Sequence, residues 1–239
     1  GKITQAGSLA VSGTSTLDAG TNAITLATAT NDFGGAVTAT GGAVDLADAN
    51  ALTVHLANTG STTLAAGGLL TVDGSSTAGL TADGTGVVFG SGPTHVTGAL
   101  LANSGSGSIT QSGALTVGGT STLNAGTNAI TLTNAGNDFA GGVSTTGGVV
   151  SLAVANALSV HLANATSETL DAGGLLSVDG TTTGNVVANG NGVVFGATTI
   201  GGTLASASGT GSITQTGPLA VGGATTLDGG SHDVTLTNA

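Results

Sequence analysis

The chain has 239 residues, 45 of them glycine and none cysteine, methionine, tryptophan or tyrosine, and only 5% are charged, against roughly 25% in ordinary soluble domains. Its 12 acids face a single base, Lys2, for a net charge of −11; with no cations to displace phosphate counterions, nucleic-acid binding is excluded, and an anionic membrane surface repels the chain. A hydrophobic fraction of 39% is too high for disorder, and the small residues that supply it predict a thin core.

The segment 1–20 carries three short runs in which apolar residues alternate with Thr, Ser or Ala: Ile3-Thr4-Gln5, Leu9-Ala10-Val11 and Thr16-Leu17. The segment 21–40 carries Ile24–Leu26 and Phe33–Val37. Alternation with a period of two is the mark of a strand with one buried face, and the intervening Gly, Asn and Asp supply turns. Cutting at these turns continues through 41–60, 61–82 and 83–106, then 107–126, 127–146, 147–166, 167–188 and 189–210, with a further unit from Gly211. No run of about 20 apolar residues occurs, so no helix is expected to cross a bilayer. The chain opens and stops inside repeats and has no start methionine, which reads as a piece of a longer protein.

Self-comparison explains the spacing. Ile-Thr-Gln begins at Ile3, Ile109 and Ile213; Asn31-Asp32-Phe33 recurs as Asn137-Asp138-Phe139; His55 recurs as His161 and Phe89 as Phe195. Residues 1–26 match residues 107–132 at 20 of 26 positions, and the apolar set Ile3, Leu9, Val11, Leu17 is kept as Ile109, Leu115, Val117, Leu123. A segment of about 20 residues is too short to fold alone and buries its apolar side by closing into a coil and stacking on its neighbours. The expected fold is therefore all-β: a parallel β-helix, or β-solenoid, with rungs of about 20–24 residues, five to each superrepeat of about 104–106 residues. The whole of 1–239 forms one solenoid segment, with superrepeats 1–106 and 107–210 and a partial one at 211–239. Right-handed coiling is expected from the bias of parallel crossovers. A β-sandwich does not produce so long an internal repeat, and helical repeats fail on glycine content and on the period.

The runs at 107–117 (GSITQSGALTV), 129–139 (AITLTNAGNDF) and 141–143 resemble the filamentous haemagglutinin-like repeats, which form the shafts of large bacterial exoproteins exported by two-partner secretion or autotransport. The resemblance covers the whole chain. It implies a secreted or cell-surface location in a Gram-negative bacterium and a role in adhesion, biofilm or filament formation. Host or cell-surface glycans or proteins would be contacted through regions outside this segment, and chains would associate end to end or side by side. A lateral glycan- or partner-binding module and a self-assembling fibre or sheath subunit remain alternatives to a plain spacer.

Candidate chemistry is sparse, and no catalytic, cofactor or metal residue is assigned. Lyase chemistry lacks a cation beyond Lys2. Glycoside hydrolysis needs carboxylates about 5–9 Å apart, whereas Asp32 and Asp138, five rungs apart, would lie roughly 24 Å apart at the strand spacing; acids close in sequence, such as Asp45 and Asp48, could meet across a corner. Calcium would require a carboxylate ladder, and none builds up. His55 and His161 are placed at exposed edges or corners, far apart. Thr-x-Thr motifs fall at different offsets and make no ice-binding face. Asn31, Asp32, Asn137 and Asp138 are read as corner residues bonded to their own backbone, and Phe33, Phe89, Phe139 and Phe195 as core plugs. The expectation is a non-enzymatic structural segment.

Overall fold

The computed structural model describes residues 1–163 and 165–237, with residue 58 described by its backbone alone. Among these residues there is no helix, and every strand pairing is parallel, in two sheets of 14 strands and one of two. The chain passes to and fro between the two large sheets, which we call the first (holding Ile3–Thr4) and the second (holding Ser15–Asp18). About twelve coils stacked at the ~4.8 Å strand spacing make a rod of roughly 55–60 Å.

Alternation decides which residues enter the core. In the first sheet Ile24, Val44, Thr62, Leu80, Leu100, Ser121, Val143 and Val160 are successive partners, one per coil, and all are buried. Their neighbours Thr25, Asp45, Thr63, Thr81, Leu101 and Thr122 form the adjoining outward column. Each fully buried Val, Leu or Ile contributes about 1.5–3 kcal/mol. All four phenylalanines lie in this core, Phe89 and Phe195 with no exposed surface.

The coils are less even than the segments cut from the sequence, and several are shorter. Long steps carry Ile3 to its partner Ile24 and Ser15 to Val37; short steps carry Val37 to Val54 and Val54 to Val72. Groups bonded across adjacent coils are accordingly 22 positions apart at Leu9 and Asn31 but 18 apart at His55 and Asp73. Long steps accommodate corners such as Asn31-Asp32-Phe33, while the short steps turn more tightly. The superrepeat consequently spans five and a half coils, not five. Ile3, Ile24, Val44 and Thr62 follow one another in the first sheet. Their counterparts in the second unit, Ile109, Ile130, Val150 and Glu168, follow one another in the second sheet. Each unit therefore presents its surface on the face opposite to that of its predecessor.

Two glycines at equivalent positions mark irregularities in the ladder. Gly74 (φ 94°) and Gly180 (φ 96°) interrupt the strands Leu69–Ser76 and Leu176–Thr182 where their register shifts. Both adopt left-handed backbone, and a Cβ at Gly180 would stand 2.4 Å from the Leu162 carbonyl oxygen of the coil beneath. Glycine meets both demands.

Gly180→Ala is expected to cost about 2–4 kcal/mol by combining left-handed strain with overpacking, whereas Gly7→Ala, with open space around its Cβ, should change stability by less than about 0.5 kcal/mol. Phe89→Ala should cost about 3–5 kcal/mol through the cavity it leaves. Urea denaturation of the three variants beside the parent chain measures all three effects.

Candidate functional site

The two Asn-Asp-Phe corners bond to their own backbone and reach beyond it. Asn31 is completely buried, and its side chain joins successive coils. Its Oδ1 accepts hydrogen bonds from the Leu9 N–H (3.0 Å) and from Gln5 Nε2 (2.7 Å). Its Nδ2 donates to Gln5 Oε1 (3.0 Å), the Leu26 carbonyl (2.9 Å) and the Ala47 carbonyl (3.2 Å). Asn137 repeats every bond with Gln111, Leu115, Leu132 and Ala153. A carboxamide offers two donors and two acceptor lone pairs in one plane, which lets it satisfy strand ends on coils above and below its own. The corners are thus inter-coil staples as well as local turns, in which the Asn31 N–H donates to the Thr28 carbonyl (2.9 Å) and the Asn137 N–H to the Asn134 carbonyl (3.0 Å). The equal spacing of Gln5 to Asn31 and of Gln111 to Asn137 was the available signal.

The neighbouring aspartates have other roles. Asp32 and Asp138 pair through their backbone with Ala10 and Thr116. Asp48 is buried, and its carboxylate accepts from the Phe33 N–H at 2.6 Å and the Asn50 N–H at 2.7 Å. Asp45 lies in the outward column beside Thr63, so these two carboxylates do not form an acid–base pair.

Two histidines, unpaired in the sequence reading, have partners one coil away. His55 Nδ1 lies 2.6 Å from Asp73 Oδ1, and His161 Nδ1 lies 2.6 Å from Asp179 Oδ1. Both histidine side chains are more than half exposed. Asp73 also accepts a hydrogen bond from the Gly92 N–H. The two pairs sit at equivalent repeat positions on opposite sheets. In the ladder Ser144 precedes His161 and Asp179, which places the residue types of a nucleophilic triad on successive coils. Among the described residues Ser144 Oγ makes no hydrogen bond to His161, so the nucleophile–base contact such chemistry requires is not formed. No group of three or more His, Asp or Glu suited to a metal ion occurs among them either. The outer face of the first sheet carries a depression of about 360 Å³, lined by hydroxyls and small residues such as Ser61, Thr63, Thr81 and Thr122.

The residue that sequence reasoning passed over is Glu168, the one glutamate in the chain. Only 1% of it is exposed, and among the described residues neither carboxylate oxygen has a hydrogen-bond partner. Burial raises its pKa from 4.5 to about 7; the nearby Thr182 hydroxyl acts in the opposite direction, although its own hydrogen bond goes to the Ala165 carbonyl. Two signals marked it: it shares the inward alternation of Leu170, and it replaces Thr62 of the first unit.

Asn137→Ala would orphan the Leu115 N–H and the Leu132 and Ala153 carbonyls together with Gln111, and should destabilise the chain by about 3 kcal/mol or more at about 1–3 kcal/mol per buried unsatisfied group. His161→Ala should cost at most about 1 kcal/mol, as an exposed ion pair does. Thermal unfolding of the two variants under one buffer condition separates staple from surface pair.

The family model for repeats of unknown function, DUF5649, matches residues 1–40, 77–146 and 183–239. The stretches between, 41–76 and 147–182, correspond to each other across the superrepeat and contain the two histidine–aspartate pairs and Glu168. No curated protein and no solved structure matches the chain. With most of its length matched, and the matched stretches in phase with its own internal repeat, the chain belongs to the DUF5649 family of repeats of unknown function.

Proposed function

We propose that this segment is the stiff shaft of an exported bacterial surface protein of the filamentous haemagglutinin-like kind, a spacer that holds an adhesive region away from the cell in attachment or biofilm formation. The observation that carries the reading is continuity. Parallel pairing runs from coil to coil from Ile3 to Thr235, so axial load is shared by main-chain hydrogen bonds throughout. Side chains add a second tie through the Asn31 and Asn137 staples. Scarce charge and short Ser/Thr side chains leave smooth lateral faces, and the net acidity opposes lateral clumping and favours solubility. Such a segment works mechanically, without cofactor, metal or turnover.

Deleting residues 107–210 from the intact protein removes one superrepeat and joins equivalent sequence to equivalent sequence. The expected outcome is a fibre shorter by about 26 Å, five and a half coils at ~4.8 Å each, in electron micrographs, with cell attachment retained. A glycan array and a cell-adherence assay on the isolated segment should both be silent. Attachment lost with the segment and not restored by an unrelated solenoid of equal length would assign recognition to its lateral faces and defeat the spacer reading.

A further inference from the structure

Glu168 occupies a position that the first unit fills with an uncharged, satisfied hydroxyl. There Thr62 Oγ1 lies 2.8 Å from Thr59 Oγ1 and 3.4 Å from Ser76 Oγ, and Ser76 in turn donates to the Gly60 and Gly79 carbonyls. In the second unit the three positions hold Ala165, Glu168 and Thr182. Ala165 gives up the side-chain volume and hydroxyl of Thr59, and Thr182 turns its hydroxyl to the Ala165 carbonyl at 2.8 Å. The longer carboxyl side chain has gained room and lost its partners. It stacks between Val150 and Val186 in the inward column.

The elements around it supply no compensating charge. The paired strands Val149–Val154 and Asn185–Gly190 contain no titratable residue. On its own strand, Ser167–Ala172, Asp171 is exposed. Across the core, Leu158–Ala163 and Leu176–Thr182 carry His161 and Asp179, which are exposed and paired with each other. Lys2, the only basic side chain apart from the histidines, lies at the other end of the rod. An ionised carboxylate here would be buried without a counter-ion, its nearest hydroxyl, that of Thr182, already donating to the Ala165 carbonyl, a state that is strongly disfavoured unless the group stays neutral or water enters.

We propose that Glu168 makes its coil a pH-dependent joint in the rod, closed around a neutral carboxylic acid in acidic medium and loosened in alkaline medium by an unpaired buried charge. Its direction is opposite to that of an ion-paired carboxylate. Between the unfolded value of 4.5 and the folded value of about 7, the native chain keeps the proton and the unfolded chain has released it. Stability therefore falls as pH rises through that window, by about tenfold in the folding equilibrium constant per pH unit, and is level on either side. The first unit, with Thr62 in place, lacks this response and serves as an internal reference on the same rod.

Because the chain has one glutamate, carboxyl-¹³C glutamate labelling of the full segment gives a single resonance to follow by NMR. A titration midpoint near pH 7 is expected; a midpoint between 4 and 5 would overturn the proposal. The second measurement is amide hydrogen exchange at pH 5.5 and 8.5, corrected for intrinsic rates. Protection in 167–172 and 185–190 should fall at least tenfold at the higher pH, while protection in 62–66 and 80–84 stays constant. The double variant Ala165→Thr/Glu168→Thr, which rebuilds the hydroxyl trio, should remove the difference between the two regions. Equal protection at both pH values in the parent chain, or an unchanged fall in the double variant, would overturn the joint. Should the double variant fold poorly, Glu168→Gln replaces it with the same expected loss of pH response.

Discussion

The ladder of main-chain hydrogen bonds between successive coils is the constraint from which the rest of the molecule follows. Each inward residue must lie above another inward residue, because the side-chain period of a strand is two and a slip by one would expose the whole column. That requirement accounts for the short alternating runs, for the scarcity of ionisable residues in the inner columns, where Glu168 is an exception, and for glycine wherever a corner brings one coil's backbone against the next. It also explains the modest aromatic content. A coil closed by so short a stretch as Val37 to Val54, or even Ser15 to Val37, encloses a narrow core that Val, Leu and Ile fill, with a phenylalanine once per long corner or bend.

The same ladder converts an uneven sequence into a regular rod. Short steps such as Val37 to Val54 and Val54 to Val72 alternate in blocks with longer ones such as Ser15 to Val37 and Ile24 to Val44, and the blocks add up to five and a half coils per superrepeat. Two consequences follow. Equivalent surfaces face opposite sides of the rod, so a feature such as the histidine–aspartate pair is displayed once on each face, about 26 Å apart along the axis. The stretches outside the family match, 41–76 and 147–182, are those that carry the tight steps. They are the part of the unit in which side-chain chemistry departs from the plain alternation.

Buried polar groups divide into two kinds. Asn31 and Asn137 fill their hydrogen-bonding capacity with groups on neighbouring coils, so removing them from water is compensated and the coils are tied in register. Glu168 has no such compensation. A staple strengthens the stack at every pH, whereas an unpaired acid weakens it when ionised. Both occupy core positions, and the difference between them lies in whether the next coil presents partners at the right height.

Much of the architecture was legible in the amino-acid sequence. Alternation, glycine-rich corners and the long internal repeat suffice to derive a stack of parallel coils, because so short a segment with one apolar side has no other way to bury it. The core placement of Phe33, Phe89, Phe139 and Phe195 follows from the same pattern. The phase of each coil was not legible, since it depends on how much chain a corner absorbs, and the register shifts at Gly74 and Gly180 are not revealed by composition. Coil phase alone decides which residues meet from one coil to the next. Only the tertiary structure could therefore bring Asp73 to His55, set Gln5 against Asn31, and enclose Glu168 where its neighbours leave it without a partner.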